Sequence, residues 1–208
     1  MKKENTVLYV LRISLTLLII TAVVAGLLSV VNSITAPAIA KLQEQKTQAA
    51  IAEVIQFSEG MKLYQPSFED ETGLVKKVYA ILSVPGISAT LPVNGSLNGQ
   101  YAVEVVVPGF GGNITMMVGV DYEGKVLGIS IISHAETASL GSVAADHSSK
   151  GVAFRDQFVG KGGELAVTKD GGEIDAITGA TITSRAVVEG VNAALACIEN
   201  YGFGGTSE

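Results

Sequence analysis

The sequence predicts an α+β protein in which a single N-terminal transmembrane helix and a helical stalk precede an antiparallel-sheet domain with flanking helices. Three features of the 208 residues support this fold class. An uncharged apolar run lies near the N-terminus, segments rich in β-branched and aromatic residues fill the middle, and a segment with helical apolar spacing lies near the C-terminus. We therefore divide the chain into an N-terminus with its anchor (1–34), a stalk (35–58) and an extracytoplasmic domain (59–208).

The apolar run from Ile13 to Val31 predicts the membrane anchor. It carries no charge, and as a helix it would extend roughly 28 Å, which is enough to cross the hydrocarbon core of a bilayer. Lys2, Lys3 and Arg12 lie on its N-terminal side, against a single acid, Glu4. The positive-inside rule then predicts a cytoplasmic N-terminus and an exported remainder, anchored by one pass in the membrane.

A cleaved signal peptide is the alternative interpretation of the same run. Small residues at 36–40 offer cleavage sites. The hydrophobic region of a signal peptide is usually shorter than the segment from Ile13 to Val31, so an uncleaved anchor is favoured.

The stalk is predicted to be a separate helix that begins at Pro37 and ends near Phe57. Proline suits the first helical position, and the Ala, Gln, Lys and Glu residues that follow are good helix formers. A modest apolar stripe runs along this helix: Ile39, Leu42, Ala49, Ile51 and Ile55.

Four strands and two helices are predicted for the domain. The strands are Val75–Ser83, Tyr101–Val107, Ile114–Asp121 and Lys125–Ile132. Turn residues at 121–124 predict an antiparallel hairpin between the last two strands, whereas residues 84–100 have the composition of a loop. The helices are Ser149–Val159 and Thr183–Asn200.

Composition and charge exclude several classes of protein. The chain is 48% hydrophobic and 16% charged, which excludes a disordered protein. A formal net charge of -6 argues against nucleic acid as a partner, because phosphate backbones are bound by basic surfaces. The single cysteine, Cys197, excludes a disulfide scaffold and is predicted to be a small core residue of the last helix.

The segment from Gly172 to Arg185 is the most informative part of the sequence. A short strand-like stretch meets Thr178–Thr181 directly before the predicted helix. The small residues there let a ligand approach the backbone, and the free N–H groups of a helix N-terminus favour an anion such as a phosphate. Taken by itself, the pattern is also consistent with an ordinary helix N-terminus capped by Thr183 or Ser184.

The residues from Asp175 to Thr181 resemble the flavinylation motif D-x-x-[ST]-G-A-[ST] of the FMN-binding domain family. That family includes the G subunit of the Rnf complex, an ion-translocating ferredoxin:NAD oxidoreductase, and the C subunit of the sodium-pumping NADH:quinone oxidoreductase. The resemblance implies FMN held by a phosphoester bond to the last threonine of the motif, which is Thr181 here. It also implies a flavin transferase that uses FAD and magnesium. Thr178 and Thr183 would then be phosphate neighbours rather than attachment points, and the other cofactor-binding residues of this segment would be Asp175, Gly179 and Ala180.

A second segment resembles the H-x-E-T-P-G-L-G loop that lies beside the flavin ring in this family. The resemblance implies that five residues lie near the ring: His134, Glu136, Thr137, Leu140 and Gly141. Where the family has Pro-Gly, this chain has Ala138-Ser139. The loop thus lacks a fixed φ and a permissive glycine, which leaves its path near the flavin open. Similar patterns at 119–128 and 154–160 extend the resemblance over most of the chain.

Other candidate sites have simpler interpretations. Residues 108–112 lack the Gly-Lys-Ser/Thr ending of a phosphate loop and are predicted to be a turn between strands, with Phe110 available to pack near a ligand. His134 and His147 have no accompanying cysteines, so a zinc site is not expected, and His147 is predicted to be solvated. The acids Glu53, Glu59, Glu69, Asp70 and Glu71 form no spaced acid/base pair and are predicted to be a solvated surface.

The resemblance implies an electron-transfer subunit that carries covalent FMN in an Rnf-type complex. Its partners would be the other membrane and redox subunits, a flavin transferase for maturation, and membrane lipid. The cofactor would supply the redox chemistry, so no residue is assigned a catalytic role and no turnover is expected from the isolated chain. Two alternatives stay open: the C subunit of the sodium-pumping NADH:quinone oxidoreductase, whose chains are generally longer, and a membrane-anchored binding or assembly module without flavin.

Overall fold

A computed structural model describes residues 6–55, 62–65, 72–82, 100–121 and 123–200, and the fold is given for these residues. The chain divides into two compact units, Met1–Gln45 and Lys46–Glu208. The helices are α1 (Thr6–Val54), α2 (Ser149–Asp156) and α3 (Thr181–Asn200), with 3₁₀ turns at Gly141–Ala144 and Thr168–Asp170. The strands are β1 (Lys62–Tyr64), β2 (Val75–Leu82), β3 (Gln100–Pro108), β4 (Asn113–Asp121) and β5 (Val126–Ser133).

Helix α1 combines the predicted anchor and stalk in one element. The predicted helix start at Pro37 is wrong, because α1 continues through this proline. Pro37 removes a single backbone hydrogen bond of the helix, the one to the carbonyl of Ser33. The strong helix formers that follow it allow the helix to continue. Within the described residues, α1 is the helix that is long and apolar enough to cross a membrane, with a mean hydropathy of 2.5 in its most apolar window.

The N-terminal part of α1 has the surface expected of a lipid-facing helix. Its large apolar side chains are exposed from Leu8 to Leu42. Its threonine hydroxyls bond back to carbonyls one turn earlier, as Thr16 does to Arg12 (2.8 Å) and Thr21 does to Leu17 (2.9 Å). The hydroxyls therefore need no partner outside the helix.

The five strands form one antiparallel sheet in the order β1-β2-β3-β4-β5. The four predicted strands are confirmed within one residue at each end, and the predicted hairpin between β4 and β5 is confirmed by their register. Its turn is fixed by Asp121 Oδ1, which accepts the N–H groups of Glu123 (2.9 Å) and Lys125 (2.8 Å). Strand β1 was not predicted, because three residues are too few for an alternating pattern. Most of the predicted loop 84–100 lies outside the described residues.

Helix α3 covers one face of the sheet and makes the main core with it. Its apolar side chains are buried with those of β3 and β4, and Cys197 is buried among them as predicted. Gly190 permits close packing, since a Cβ at this position would overlap Met116 Cε and lie 3.1 Å from Val107 Cγ1. The helix begins at Thr181, two residues before the predicted start at Thr183.

The end of α1 covers the opposite face of the sheet within the second unit. Its buried residues Ala50, Ile51, Val54 and Ile55 join a second apolar cluster with Tyr79, Ala102, Met117 and Ile132. Two glycines that are paired in register, Gly119 and Gly128, lie beneath Val54. Ser130 Oγ donates to Glu53 Oε2 (2.5 Å) beside them.

The predicted stalk stripe is therefore wrong in part. Ile51 and Ile55 are buried, whereas Ile39, Leu42 and Ala49 are exposed. The last turns of α1 are a packed element of the domain, because their buried residues cover the face of the sheet opposite α3.

Candidate functional site

The Thr-Gly-Ala-Thr segment is a tight turn that leads directly into α3. Ala180 N–H donates to the Ile177 carbonyl (2.9 Å), and Gly179 adopts φ +77°, a conformation that glycine permits at little cost. A Cβ on Gly179 would also lie 3.2 Å from Leu140 Cδ2. Ser184 is fully buried and braces this turn, accepting the Ile177 N–H (2.9 Å) and donating to the Ala180 carbonyl (3.0 Å).

Helix α3 presents free backbone donors at this turn. Its first backbone bond runs from Ser184 N–H to the Ala180 carbonyl (3.0 Å), so the N–H groups of residues 181–183 precede the intrahelical ladder. Such donors, together with the helix dipole, favour an anion. The capping alternative is wrong, because Thr183 and Ser184 lie inside the helix and their hydroxyls bond to other groups.

The three threonine hydroxyls of this segment have different surroundings. Thr183 is 2% exposed and donates to Glu136 Oε2 (2.5 Å). Thr181 is half-buried, and its Oγ1 accepts a hydrogen bond from Lys169 Nζ (3.0 Å). Thr178 is exposed. Of the three, Thr181 combines an accessible hydroxyl with a neighbouring cation.

Lys169 is a residue of this site that the sequence reasoning missed. It lies in the 3₁₀ turn Thr168–Asp170, which ends at Gly171 with φ +88°. The Asp170 carboxylate pairs with both Arg185 Nε (2.7 Å) and Arg185 Nη2 (2.6 Å), so this turn is joined to the first turns of α3. Hydrogen bonds from Arg185 hold the pKa of the Asp170 carboxyl below its ordinary value, and the same pairing raises the pKa of the Arg185 guanidinium.

Glu136 joins the second predicted loop to α3 and to the turn between β3 and β4. One carboxylate oxygen accepts the Gly111 N–H (3.0 Å) and the other accepts the Thr183 hydroxyl (2.5 Å). The backbone N–H of Glu136 donates to His134 Nδ1 (3.2 Å). Gly141 lies against this network, since a Cβ there would overlap the Glu136 carboxylate and lie 2.6 Å from Thr183 Oγ1. The loop that contains Glu136 is therefore in direct contact with the segment from Gly172 to Arg185.

The backbone of the loop at Ala138-Ser139 is held by local hydrogen bonds. Ser139 takes the left-handed conformation, with φ +62°, that the family's glycine would adopt without strain. The loop is closed by the Leu140 and Ser142 N–H groups, which both donate to the Thr137 carbonyl (3.2 Å each). The Ser139 N–H donates to Ser142 Oγ (3.0 Å).

The remaining predicted residues lie at the margin of this arrangement. Asp175 is held through its backbone by Gln157, whose side chain accepts the Asp175 N–H (2.7 Å) and donates to its carbonyl (3.2 Å). The Asp175 side chain is exposed, and Thr137 is also exposed. Phe110 is exposed at the tip of the turn between β3 and β4, next to Gly111.

The histidines lie apart from any cluster of metal-binding side chains. His147 is exposed, as predicted, and His134 is exposed beside Glu136. In the part of the chain that the structure describes, no group of three or more His, Cys, Asp or Glu residues is placed to hold a metal ion.

Both the N-terminal region and the domain of this chain match known protein families. Residues 109–196 match the FMN-binding domain family, and residues 1–54 match the RnfG N-terminal region. The first match runs from the turn before β4 to within four residues of the end of α3, and so it includes every residue of the site described above.

Relatives match along nearly the whole chain. It is 34% identical over 208 residues to the G subunit of the ion-translocating oxidoreductase complex of Aliivibrio fischeri strain ES114, covering 94% of this chain and 89% of the relative. It is 33% identical over 202 residues to the G subunit of the Na(+)-translocating ferredoxin:NAD(+) oxidoreductase complex of Acetobacterium woodii, covering 92% of each. The G subunit of the ion-translocating oxidoreductase complex of Photorhabdus laumondii is 34% identical to this chain over 186 residues, covering 86% of each chain.

Proposed function

Because this chain belongs to the family of G subunits of ion-translocating oxidoreductase complexes, we propose that it is the electron-transfer subunit of an Rnf-type membrane complex and carries FMN bound covalently to Thr181. The observation that carries the attachment site is the position of Thr181. Thr181 is the first residue of α3 and follows the glycine turn, and its half-buried hydroxyl accepts a hydrogen bond from the Lys169 ammonium.

The donors around Thr181 fit a phosphate group. The ammonium of Lys169 supplies a positive charge, and the N–H groups of residues 181–183 supply directed hydrogen bonds. Gly179 and Ala180 leave room for the phosphate because neither carries a side chain beyond Cβ. The exposed hydroxyl of Thr178 lies in the same turn.

Attachment requires Thr181 Oγ1 to act as the nucleophile toward FAD on a flavin transferase. The new bond joins Oγ1 to the phosphorus of the FMN half, the phosphoanhydride bond breaks, AMP leaves with the bridging oxygen, and the hydroxyl proton passes to the transferase or to water. The bound flavin supplies electron transfer in one- and two-electron steps. A phosphoester tether would leave the ring unmodified, so Thr181 would hold the flavin in position without changing its chemistry.

The second loop is suited to hold the ring. Leu140 is 43% exposed beside Gly179 and offers an apolar surface next to the attachment turn. Glu136 ties its loop to α3 through Thr183, so this surface has a fixed distance from Thr181. Leu140 would hold the ring by apolar contact, and the exposed side chains of His134 and Thr137 would supply polar groups beside it.

Partners and topology follow from the family and from α1. The relatives are subunits of oxidoreductase complexes, and the other subunits of such a complex are the partners of this chain. We propose that membrane lipid surrounds the N-terminal part of α1 and that the domain is extracytoplasmic, where the flavin transferase would act. Lys2, Lys3 and Arg12 support this orientation through the positive-inside rule. The match of residues 1–54 to the RnfG N-terminal region favours the G subunit over the C subunit of the quinone reductase.

Co-expression with a flavin transferase tests the attachment. We expect the wild-type band on a denaturing gel to fluoresce under ultraviolet light, and Thr181→Val to be dark. Ser149→Ala is the control, because it removes an exposed hydroxyl at the start of α2, outside both motifs, and should stay fluorescent. A dark wild-type band, when a known substrate of the same transferase fluoresces, would contradict covalent flavin, and a fluorescent Thr181→Val would move the attachment point.

Protease accessibility tests the orientation. We expect a protease added outside intact cells, after permeabilisation of any outer membrane, to digest the domain and to leave cytoplasmic marker proteins untouched. Protection of the domain until the cell membrane is opened would reverse the topology.

A further inference from the structure

We infer that Lys169 is the counter-ion of the phosphodiester formed at Thr181, and that the Asp170–Arg185 ion pair presents it there. This inference rests on the proposed function, because it needs a phosphate on Thr181. It adds a residue to the site that lies outside both sequence motifs.

The Lys169 ammonium lies within hydrogen-bond distance of the Thr181 hydroxyl. Lys169 Nζ donates to Thr181 Oγ1 at 3.0 Å. In a phosphodiester formed at Oγ1, the two non-bridging oxygens are bonded to the phosphorus next to that atom. They therefore come within hydrogen-bond reach of an ammonium that already touches Oγ1, and a lysine can follow them because its three donors rotate.

The charge of Lys169 is complementary to that of a phosphodiester. A phosphodiester carries one negative charge, and the Lys169 ammonium carries one positive charge. Among the described residues, no carboxylate forms a salt bridge with Lys169. The adjacent carboxylate, Asp170, is engaged at both oxygens by Arg185. Lys169 also contributes to the lowered pKa of Asp170, but its ammonium makes its hydrogen bond to Thr181 Oγ1, where it can neutralise an anion.

The turn Thr168–Asp170 and its ion pair to α3 hold Lys169 beside Thr181. Lysine has a flexible stem, and its position here is set by the backbone of the turn Thr168–Asp170. Arg185 lies one helical turn after Thr181, so its bidentate bond to Asp170 places that backbone beside the hydroxyl. An exposed ion pair adds little to global stability. Its substitution should consequently loosen Lys169 without unfolding the domain.

The test measures the rate at which purified full-length protein is flavinylated by a transferase with FAD and magnesium. We expect Lys169→Gln to slow the reaction on the order of tenfold, as the loss of a charge-assisted hydrogen bond predicts. Lys169→Arg should keep most of the rate because it keeps the charge. Asp170→Asn should give an intermediate rate, and Lys150→Gln, at an exposed lysine on α2, is the matched control and should be unchanged.

The second readout is the ³¹P resonance of the protein after flavinylation has been run to completion. We expect Lys169→Gln to shift the phosphodiester resonance and Lys150→Gln to leave it in place, because only Lys169 lies beside the phosphorus. A structural role of Lys169 in the fold would not move this signal, and equal melting temperatures of the variants would exclude unfolding as the cause.

The outcomes separate this inference from the proposed function. If Thr181→Val is dark while Lys169→Gln has the wild-type rate and an unshifted resonance, the attachment stands and the counter-ion is refuted. A slower rate with an unshifted resonance also refutes it, since Lys169 would then act in recognition by the transferase. If Thr181→Val stays fluorescent, the proposed attachment itself fails.

Discussion

Replacing Ser139 by glycine should stabilise the protein. Ser139 holds φ +62°, and a residue with a Cβ pays roughly 1–2 kcal/mol for the left-handed conformation. Glycine removes this strain but costs roughly 0.5–1 kcal/mol through its greater freedom in the unfolded chain. The side chain of Ser139 is exposed, and the N–H that bonds to Ser142 is kept in the variant. The net gain is therefore about 0.5–1 kcal/mol.

The measurement is thermal unfolding of the full-length protein in detergent. The chain has no Trp, so tyrosine fluorescence is the suitable probe of the domain. For a domain of this size, about 1 kcal/mol shifts the melting temperature by roughly 2–4 °C, and Ser139→Gly should raise it by about 1–4 °C.

The neighbouring residue provides the control. Ala138 is not among the residues with positive φ, so Ala138→Gly gains no relief of strain and should lower stability by about 0.5–1 kcal/mol. If Ser139→Gly melts at or below the wild-type temperature, as Ala138→Gly should, then the left-handed conformation of Ser139 is not a source of strain and the reasoning is refuted.

Three further predictions concern the packing and charge of the domain. Gly141→Ala should destabilise it by roughly 1–3 kcal/mol in the same unfolding experiment, because the new methyl would overlap the Glu136 carboxylate. Gly119→Val should also cost roughly 1–3 kcal/mol, since its Cβ would lie 2.5 Å from the last carbonyl of α1; an unchanged melting temperature would show that α1 does not dock there. Asp170→Asn should lower the melting temperature slightly at neutral pH. Pairing with Arg185 lowers the pKa of Asp170, so the ion pair stabilises the wild type fully at pH values above the ordinary pKa of 3.8. This stabilisation is lost as the pH falls through the lowered pKa, and the difference in melting temperature between the wild type and Asp170→Asn should disappear there. A difference that does not depend on pH would contradict the ion pair.

Local patterns predicted the parts of the fold that depend on neighbours in sequence. The four strands and α3 follow from the spacing of apolar residues, and the hairpin at Asp121 follows from turn chemistry. The helix start predicted at Pro37 is wrong because that prediction, too, used local residues alone. A proline indicates where a helix can begin, but the flanking residues decide whether the helix continues through it.

The contacts that depend on tertiary structure were beyond a single sequence. Gly119 and Gly128 face the end of α1 because they are opposite each other in the β4–β5 register, and nothing in their local sequence indicates this. Lys169 reaches Thr181 because a backbone bridge pairs Val167 with Ile174, which folds the intervening turn back toward α3. A strain such as that at Ser139 becomes visible only when the backbone angle is known.

The two hydroxyls of the first turn of α3 are suited to opposite tasks. Thr183 is buried, and its hydroxyl donates a hydrogen bond that fastens the Glu136 loop, so this hydroxyl is not accessible to a flavin transferase. Thr181 lies on the accessible side, where the contacts around it are an exposed ion pair and a single lysine bond. Exposed pairs are weak and can open at little cost, whereas the part-buried Glu136 network is costly to break. We therefore expect the Lys169 turn to yield to a transferase while the loop beside the ring keeps its place.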